Sequence, residues 1–134
     1  MTNSKKKKKT WSVEAAVFSA LRRKFKTYPP YKETRDAAKV EYFVKSKHGK
    51  DMRRVHFQCA HCQQYFKDKD IAVDHIDPVN EPEVGFVDFD TYVQRLFCPL
   101  ENLQILCKSC HKKKSAEETK TRAKARRSKK DDNL

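Results

Sequence analysis

The chain has 134 residues and carries 31 Lys and Arg against 18 Asp and Glu, a formal charge of +13, with 37% hydrophobic residues. A chain so short and so basic suits one small domain with loose ends, and its charge favours a polyanionic partner, nucleic acid first. A spanning helix is not expected, since no apolar run approaches the ~20 residues required, nor is secretion, since Ala15 to Leu21 is broken by Ser19 and followed by Arg22. A cytoplasmic location is the expectation.

Lys5 to Lys9 form an unbroken like-charge block, so residues 1–10 read as a disordered basic arm or a solubilising tail. Ser12 can cap a helix running to about Lys26, with Val13, Ala16, Val17, Ala20, Leu21 and Phe25 on one stripe. Arg22 and Arg23 stand near its C-terminus, and Tyr28-Pro29-Pro30 stops it. A second helix is predicted from Thr34 to Lys45, because Ala37, Ala38, Glu41 and Tyr42 suit a helix and His48-Gly49-Lys50 follows as a turn. Residues 11–54 therefore read as a basic helical region, either touching duplex phosphates or supporting the core.

From Arg53 the period changes to two. Val55 and Phe57 alternate with Arg54 and His56, the pattern of a half-buried strand, and Ile71-Ala72-Val73 reads as its hairpin partner. Between Asp77 and Pro99 lies a long acidic connection in which Phe89 to Phe97 forms a short helix. Helix propensity returns after Cys110 and persists past Lys124, so residues 119–134 read as a basic helix or tail against phosphate, closed by Asp131-Asp132.

Five cysteines without a leader point to metal ligands or free thiols, since reducing compartments disfavour disulfides. Cys59-Ala60-His61-Cys62 and Cys107-Lys108-Ser109-Cys110 are two C-x2-C pairs with 44 residues between them. Two intervening residues let a tight turn aim both sulfurs at one ion, and four thiolates fill a tetrahedral zinc site with no open position, which makes such a site structural. One pair follows a strand and the other opens a helix, the plan of a treble clef. A redox dithiol or paired disulfides is the weaker alternative, lacking a thioredoxin-like βαβ context. His61 is available as a substitute ligand. Cys98, alone and followed by Pro99, reads as a packed free thiol.

Within the span bracketed by these cysteines stand Val73-Asp74-His75-Ile76-Asp77-Pro78 and Glu101-Asn102-Leu103-Gln104-Ile105-Leu106-Cys107, and His111 directly follows the last cysteine. The runs D-H-I-x-P and N-L-Q-x-L-C-x-x-C-H-x-x-K, ending at Lys114, resemble those of the HNH nucleases with a treble-clef, ββα-metal fold. Coverage extends from about Val55 to Ala116, which defines a nuclease core over residues 55–118. The fold class implied is α+β: a small zinc-stapled core with N-terminal helices and a basic C-terminal extension. Many family members carry a Gly-Gly turn after D-H-I-x-P; here Val79 to Val84 precede a lone Gly85, so the loop on the substrate side differs.

The resemblance implies that His75, Asn102 and His111 are the three signature positions, with His75 as general base and Asp74 and His111 holding one catalytic divalent ion. That ion would be Mg2+ or Mn2+, with Zn2+ or Ni2+ as alternatives, beside one structural Zn2+. The chemistry fits these residue types. A neutral imidazole, with a reference pKa of about 6.5, can take a proton from water near neutral pH. A carboxylate and an imidazole leave an ion open positions with which to stabilise charge on a phosphate. Adjacent strand residues point to opposite faces, so Asp74 and His75 can serve one site only where the strand bends or ends. Asn102 is implied to orient the His75 region, although ligation by its oxygen stays open.

Lys114, one helical turn after His111, can meet a phosphate or solvent, and Lys112, Lys113, Arg22 and Arg23 are further candidates for DNA contact. Two functions follow. The first is a DNA endonuclease leaving 5′-phosphate and 3′-hydroxyl ends, a monomer or weak dimer, resembling small phage-encoded enzymes working in the host cytoplasm. The second is a non-catalytic zinc module that only binds nucleic acid.

Overall fold

The computed structural model describes Lys8 and residues 10–132; most of the basic arm expected over residues 1–10, and the last two residues, lie outside the described residues. The chain is α+β, with two short helices, two small antiparallel sheets, an intervening helix and a long final one. Among the described residues no helix is long and apolar enough to cross a membrane.

Helix α1 spans Val13–Phe25, and the Ser12 side chain accepts from the Ala15 amide, as its capping chemistry requires. Its buried edge differs from the predicted stripe. Phe25 is buried and Phe18 and Leu21 pack against the same cluster, whereas Val13 is 65% exposed. Three large side chains at i, i+3 and i+7 bury more apolar area than the smaller Val13, Ala16, Val17 and Ala20, so they decide the helix's roll. The prolines that end α1 also begin helix α2, Pro29–Ala38, because proline at a first helical position has no amide to leave unpaired.

The helix predicted from Thr34 to Lys45 is corrected in its second half. α2 stops at Ala38 and the chain continues as strand β1, Lys39–Lys45, paired antiparallel with strand β2, Asp51–Gln58. Val40, Tyr42, Phe43 and Val44 fit a pleated surface, and pairing with β2 outweighs the weak helix preference of Glu41. Cross-strand charges reinforce the register: Glu41 accepts from Arg53 and from Lys39, which holds its carboxyl down at about 2. The turn over His48-Gly49-Lys50 thus closes a hairpin, with Gly49 in the left-handed region at φ 76°.

Strand β3, Tyr65–Phe66, completes a sheet of order β1-β2-β3. Strand β4, Ile71–His75, does not pair with β2 as predicted. Its partner is strand β5, Leu103–Cys107, in a register running from Ile71 opposite Cys107 to His75 opposite Leu103. Both edges of β2 are already taken, and β5 offers β4 a second apolar run. Helix α3, Phe89–Leu96, lies where the short helix was expected, and helix α4, Lys108–Asp132, follows β5 without a break and absorbs the basic extension. Phe57, Ile71 and Ile105 form the core shared by the two sheets; Phe25, Tyr92, Leu96, Cys98 and Leu103 form a second beneath α1 and α3.

Candidate metal centre and the adjoining cleft

The four paired cysteines converge: one sulfur from each of Cys59, Cys62, Cys107 and Cys110 lies within 4.8 Å of every other. The Cys59 pair sits in the tight connection between β2 and β3. There the Gln63 amide donates to the Cys59 carbonyl at 2.9 Å and Gln63 takes φ 61°, reversing the chain. The Ala60 amide donates to the Ile105 carbonyl at 2.8 Å and so fastens this knuckle to β5 just before Cys107. Cys107 ends β5 and Cys110 lies in the first turn of α4, its amide 3.4 Å from the Cys107 sulfur.

Electrostatics explain why such a cluster calls for a cation. Burial opposes ionisation of Cys59, but backbone amides of Cys107, Cys62 and His61 and the Cys62 thiol outweigh it and hold Cys59 at about 6. Cys110 is pushed the other way, to about 12, by its hydrogen bond with Cys107, by burial and by the other two sulfurs. Four thiolates this close repel one another unless a metal neutralises them, and soft sulfur donors in this arrangement suit zinc. The cluster can hold a metal ion.

At the opposite end of the β4–β5 pair, β4 terminates in Asp74 and His75. Asp74 is buried at 7% exposure and faces α4, where Nζ of Lys114 lies 3.2 Å from Oδ2 and His111 Nε2 lies 3.7 Å from Oδ1. The Gln104 amide of β5 donates to Oδ2 at 2.9 Å. Two ligand atoms each ~2.1 Å from one ion can stand no more than ~4.2 Å apart, so the Asp74–His111 pair fits joint coordination of a divalent ion. Lys114 also donates to the His75 carbonyl at 2.8 Å and to Glu118 at 2.7 Å. Burial works against its charge, but the Glu118 and Asp74 carboxylates prevail and raise its pKa.

His75 points to the other side of β4, toward α1 and α3. Its ring packs on Phe25 with centroids 4.9 Å apart, and Nε2 lies 2.9 Å from the Leu96 carbonyl. A carbonyl only accepts, so Nε2 carries the proton and Nδ1 keeps the lone pair. Because the strand ends here, Asp74 and His75 nevertheless line one open cleft of about 160 Å³ with His111, Lys114 and Glu118. Asn102 holds the chain that leaves this cleft. Its oxygen accepts from the Asp77 amide at 2.8 Å, its nitrogen donates to the Asp77 carbonyl at 3.1 Å, and its own carbonyl accepts from the Ile76 amide at 2.8 Å.

Sequence reasoning missed several contributors. Gln104 and Glu118 touch the Asp74 network directly or through Lys114, and only the seven-residue spacing of Glu118 from His111 hinted at a shared helix face. Arg95 of α3 binds the loop after β4 through the Val79 carbonyl at 2.7 Å, Asp77 at 3.1 Å and Glu81 at 3.2 Å. Asp88 caps α3 by accepting from the Thr91 amide, which lowers its pKa. Part of the acidic charge of the connection between Asp77 and Pro99 is therefore engaged inside the loop. Cys98 is buried in the α1–α3 core, where burial raises its thiol, while Lys112, Lys113, Arg22 and Arg23 are exposed. Comparison with protein-family models, with curated proteins and with solved structures returned no match.

Proposed function

We propose that this chain is a metal-dependent DNA endonuclease of the HNH type, with a treble-clef, ββα-metal core built from β4, β5, α4 and the cysteine knuckle. The observation that carries this reading is the Asp74–His111 pair, 3.7 Å apart in a cleft at the end of β4 that His75 also lines, with Asn102 fastening the backbone two residues beyond His75. His75 accepts the proton of the attacking water at Nδ1, since the Leu96 carbonyl engages the Nε2 proton and fixes the ring. Asp74 and His111 hold a divalent ion, Mg2+ or Mn2+ foremost, which when bound stabilises charge on the scissile phosphate and on the leaving 3′ oxygen. Gln104 and Lys114 keep the Asp74 carboxylate aimed at that position. The four cysteines hold a structural zinc that joins the knuckle to α4. Lys112, Lys113 and the basic remainder of α4, with Arg22 and Arg23, meet DNA phosphates in a monomer or weak dimer acting in the cytoplasm.

A second reading, a zinc module that binds nucleic acid without cutting it, draws support from Lys114, whose ammonium already neutralises Asp74. Supercoiled plasmid incubated with the protein and Mg2+ or Mn2+ separates the two. The wild type should nick, His75→Ala should lose roughly 10²–10⁴-fold in rate, and withholding the divalent ion should stop the reaction while zinc stays bound. Plasmid left intact by the wild type under all these conditions would overturn the endonuclease reading.

A further inference from the structure

Away from the cleft, the outer face of the β1-β2-β3 sheet leaves Val40, Tyr42 and Tyr65 exposed among the described residues. The strict register puts Val40 opposite His56 and Tyr42 opposite Arg54 on β1 and β2, with Tyr65 of β3 beside them. Tyr42 and His56 are stacked, their ring centroids 5.4 Å apart and their planes within 14°. Together with Val40 and Tyr65 they line an open hollow of about 400 Å³. Tyr42 is 42% exposed and Tyr65 55%, unusual for aromatic rings with nothing to cover them.

We propose that this face is a stacking platform for the unpaired bases of a single-stranded nucleic acid. Charge decides the class of ligand. Side chains alternate across a strand, so the carboxylates Glu41 and Asp51 lie on the opposite face, where they pair with Arg53, Lys39 and Lys45. The platform face carries no acidic residue; its one charged member is Arg54, whose cross-strand neighbour is a tyrosine. Exposed Lys47 and Lys50 follow at the hairpin turn and Lys67 just after β3. Aromatic rings interleaved with cations are what a flexible polyanion with stackable bases requires, because each base offers a π-face and each phosphate a charge. A second copy of a chain at +13 would be repelled from the same surface. Duplex DNA, whose bases are stacked on one another, presents no free ring faces to Tyr42 and Tyr65. The proposal holds whether or not the cleft is catalytic.

The test is fluorescence anisotropy of labelled oligo(dT) and of a labelled duplex, titrated with the zinc-loaded full chain without added Mg2+ or Mn2+. Tyr65→Ala and Tyr42→Ala should each weaken single-strand binding roughly 5- to 150-fold, the equivalent of one base–aromatic stack, and change duplex binding less than ~2-fold. Tyr42→Phe keeps the ring and should bind as the wild type does; Arg54→Ala should lower the salt slope for the single strand by about one phosphate contact. Because Tyr65 is more than half exposed, Tyr65→Ala tests the surface without disturbing the core. Equal loss on both ligands, unchanged single-strand binding in both alanine variants, or a wild-type dimer that Tyr65→Ala dissociates would each overturn the proposal.

Discussion

The two ends of the β4–β5 pair gather ligand-type side chains in contrasting ways. At the Cys107 end four soft donors enclose one position that can hold a metal ion. At the His75 end the donors are hard and few, and a lysine already meets the carboxylate that a metal would use. With a metal bound, the first arrangement would act as a staple, because closing it would join segments distant in sequence and leave no vacant coordination. An ion at the second, held by two side chains, would keep positions for water and phosphate, as the proposed chemistry requires. One strand–strand–helix unit carries both, so on this proposal loss of the staple would also loosen the open end.

The largest effect should come from breaking the staple. Structural zinc in small domains binds with an apparent ~10–16 kcal/mol, comparable to or above the ~5–15 kcal/mol total stability of such a domain. Cys59→Ser or Cys107→Ser should therefore lose bound zinc and the cooperative melt together, measured by metal content and by circular dichroism. A variant with normal zinc content and an unshifted melting temperature would show that the cluster is not the staple. His75→Ala, by contrast, should keep its zinc and a cooperative melt, lowered only by the lost packing on Phe25, and slow nicking by roughly 10²–10⁴-fold, which separates the two ends.

Asn102 lies between these extremes, since it belongs to neither metal position but connects the open end to β5. Asn102→Ala removes two hydrogen bonds to Asp77, each worth ~0.5–1.5 kcal/mol, and the half-exposed setting places the expected loss toward the lower end of that range. Zinc content should be unchanged, urea unfolding should shift modestly, and single-turnover nicking should fall further than stability does, because the backbone beside His75 is released. Asn102→Asp keeps the acceptor for the Asp77 amide and loses the donor, so an intermediate phenotype is expected. If Asn102→Ala nicks at the wild-type rate, the clamp has no part in positioning His75.

The contrast between the two ends also accounts for what could be read in advance. The knuckles were legible because C-x2-C is a local pattern whose geometry follows from two intervening residues, whereas the Asp88 cap that starts α3 was found only in the structure. β1 was not legible: Glu41 and Tyr42 suit a helix, and only the pairing of β1 with β2 overrides them. Nor was the partner of β4, because β5 begins 28 residues after His75 and the choice depends on which strand edges remain free. At the cleft the residue types and their order came from the family resemblance and not from spacing. The side of β4 to which each points, the Leu96 carbonyl that sets the His75 tautomer, and the acceptors around Lys114 are products of tertiary packing.

Lys114 yields the smallest but most discriminating measurement. Spacing put it on the His111 face of α4, where it could meet phosphate, and in the structure its three donors engage Asp74, the His75 carbonyl and Glu118. Its charge supports the fold without metal and opposes a cation beside Asp74. At ~4 Å even the dielectric of water leaves ~1 kcal/mol of repulsion between unit charges. Lys114→Met should then bind Mn2+ at least ~5-fold more tightly while unfolding at lower urea in the absence of Mn2+, because a buried carboxylate loses its counter-ion. Titration calorimetry and urea melts with and without Mn2+ read the two effects separately. Weaker Mn2+ binding in Lys114→Met would reverse the assignment: the ammonium would then be needed to hold Asp74 in place.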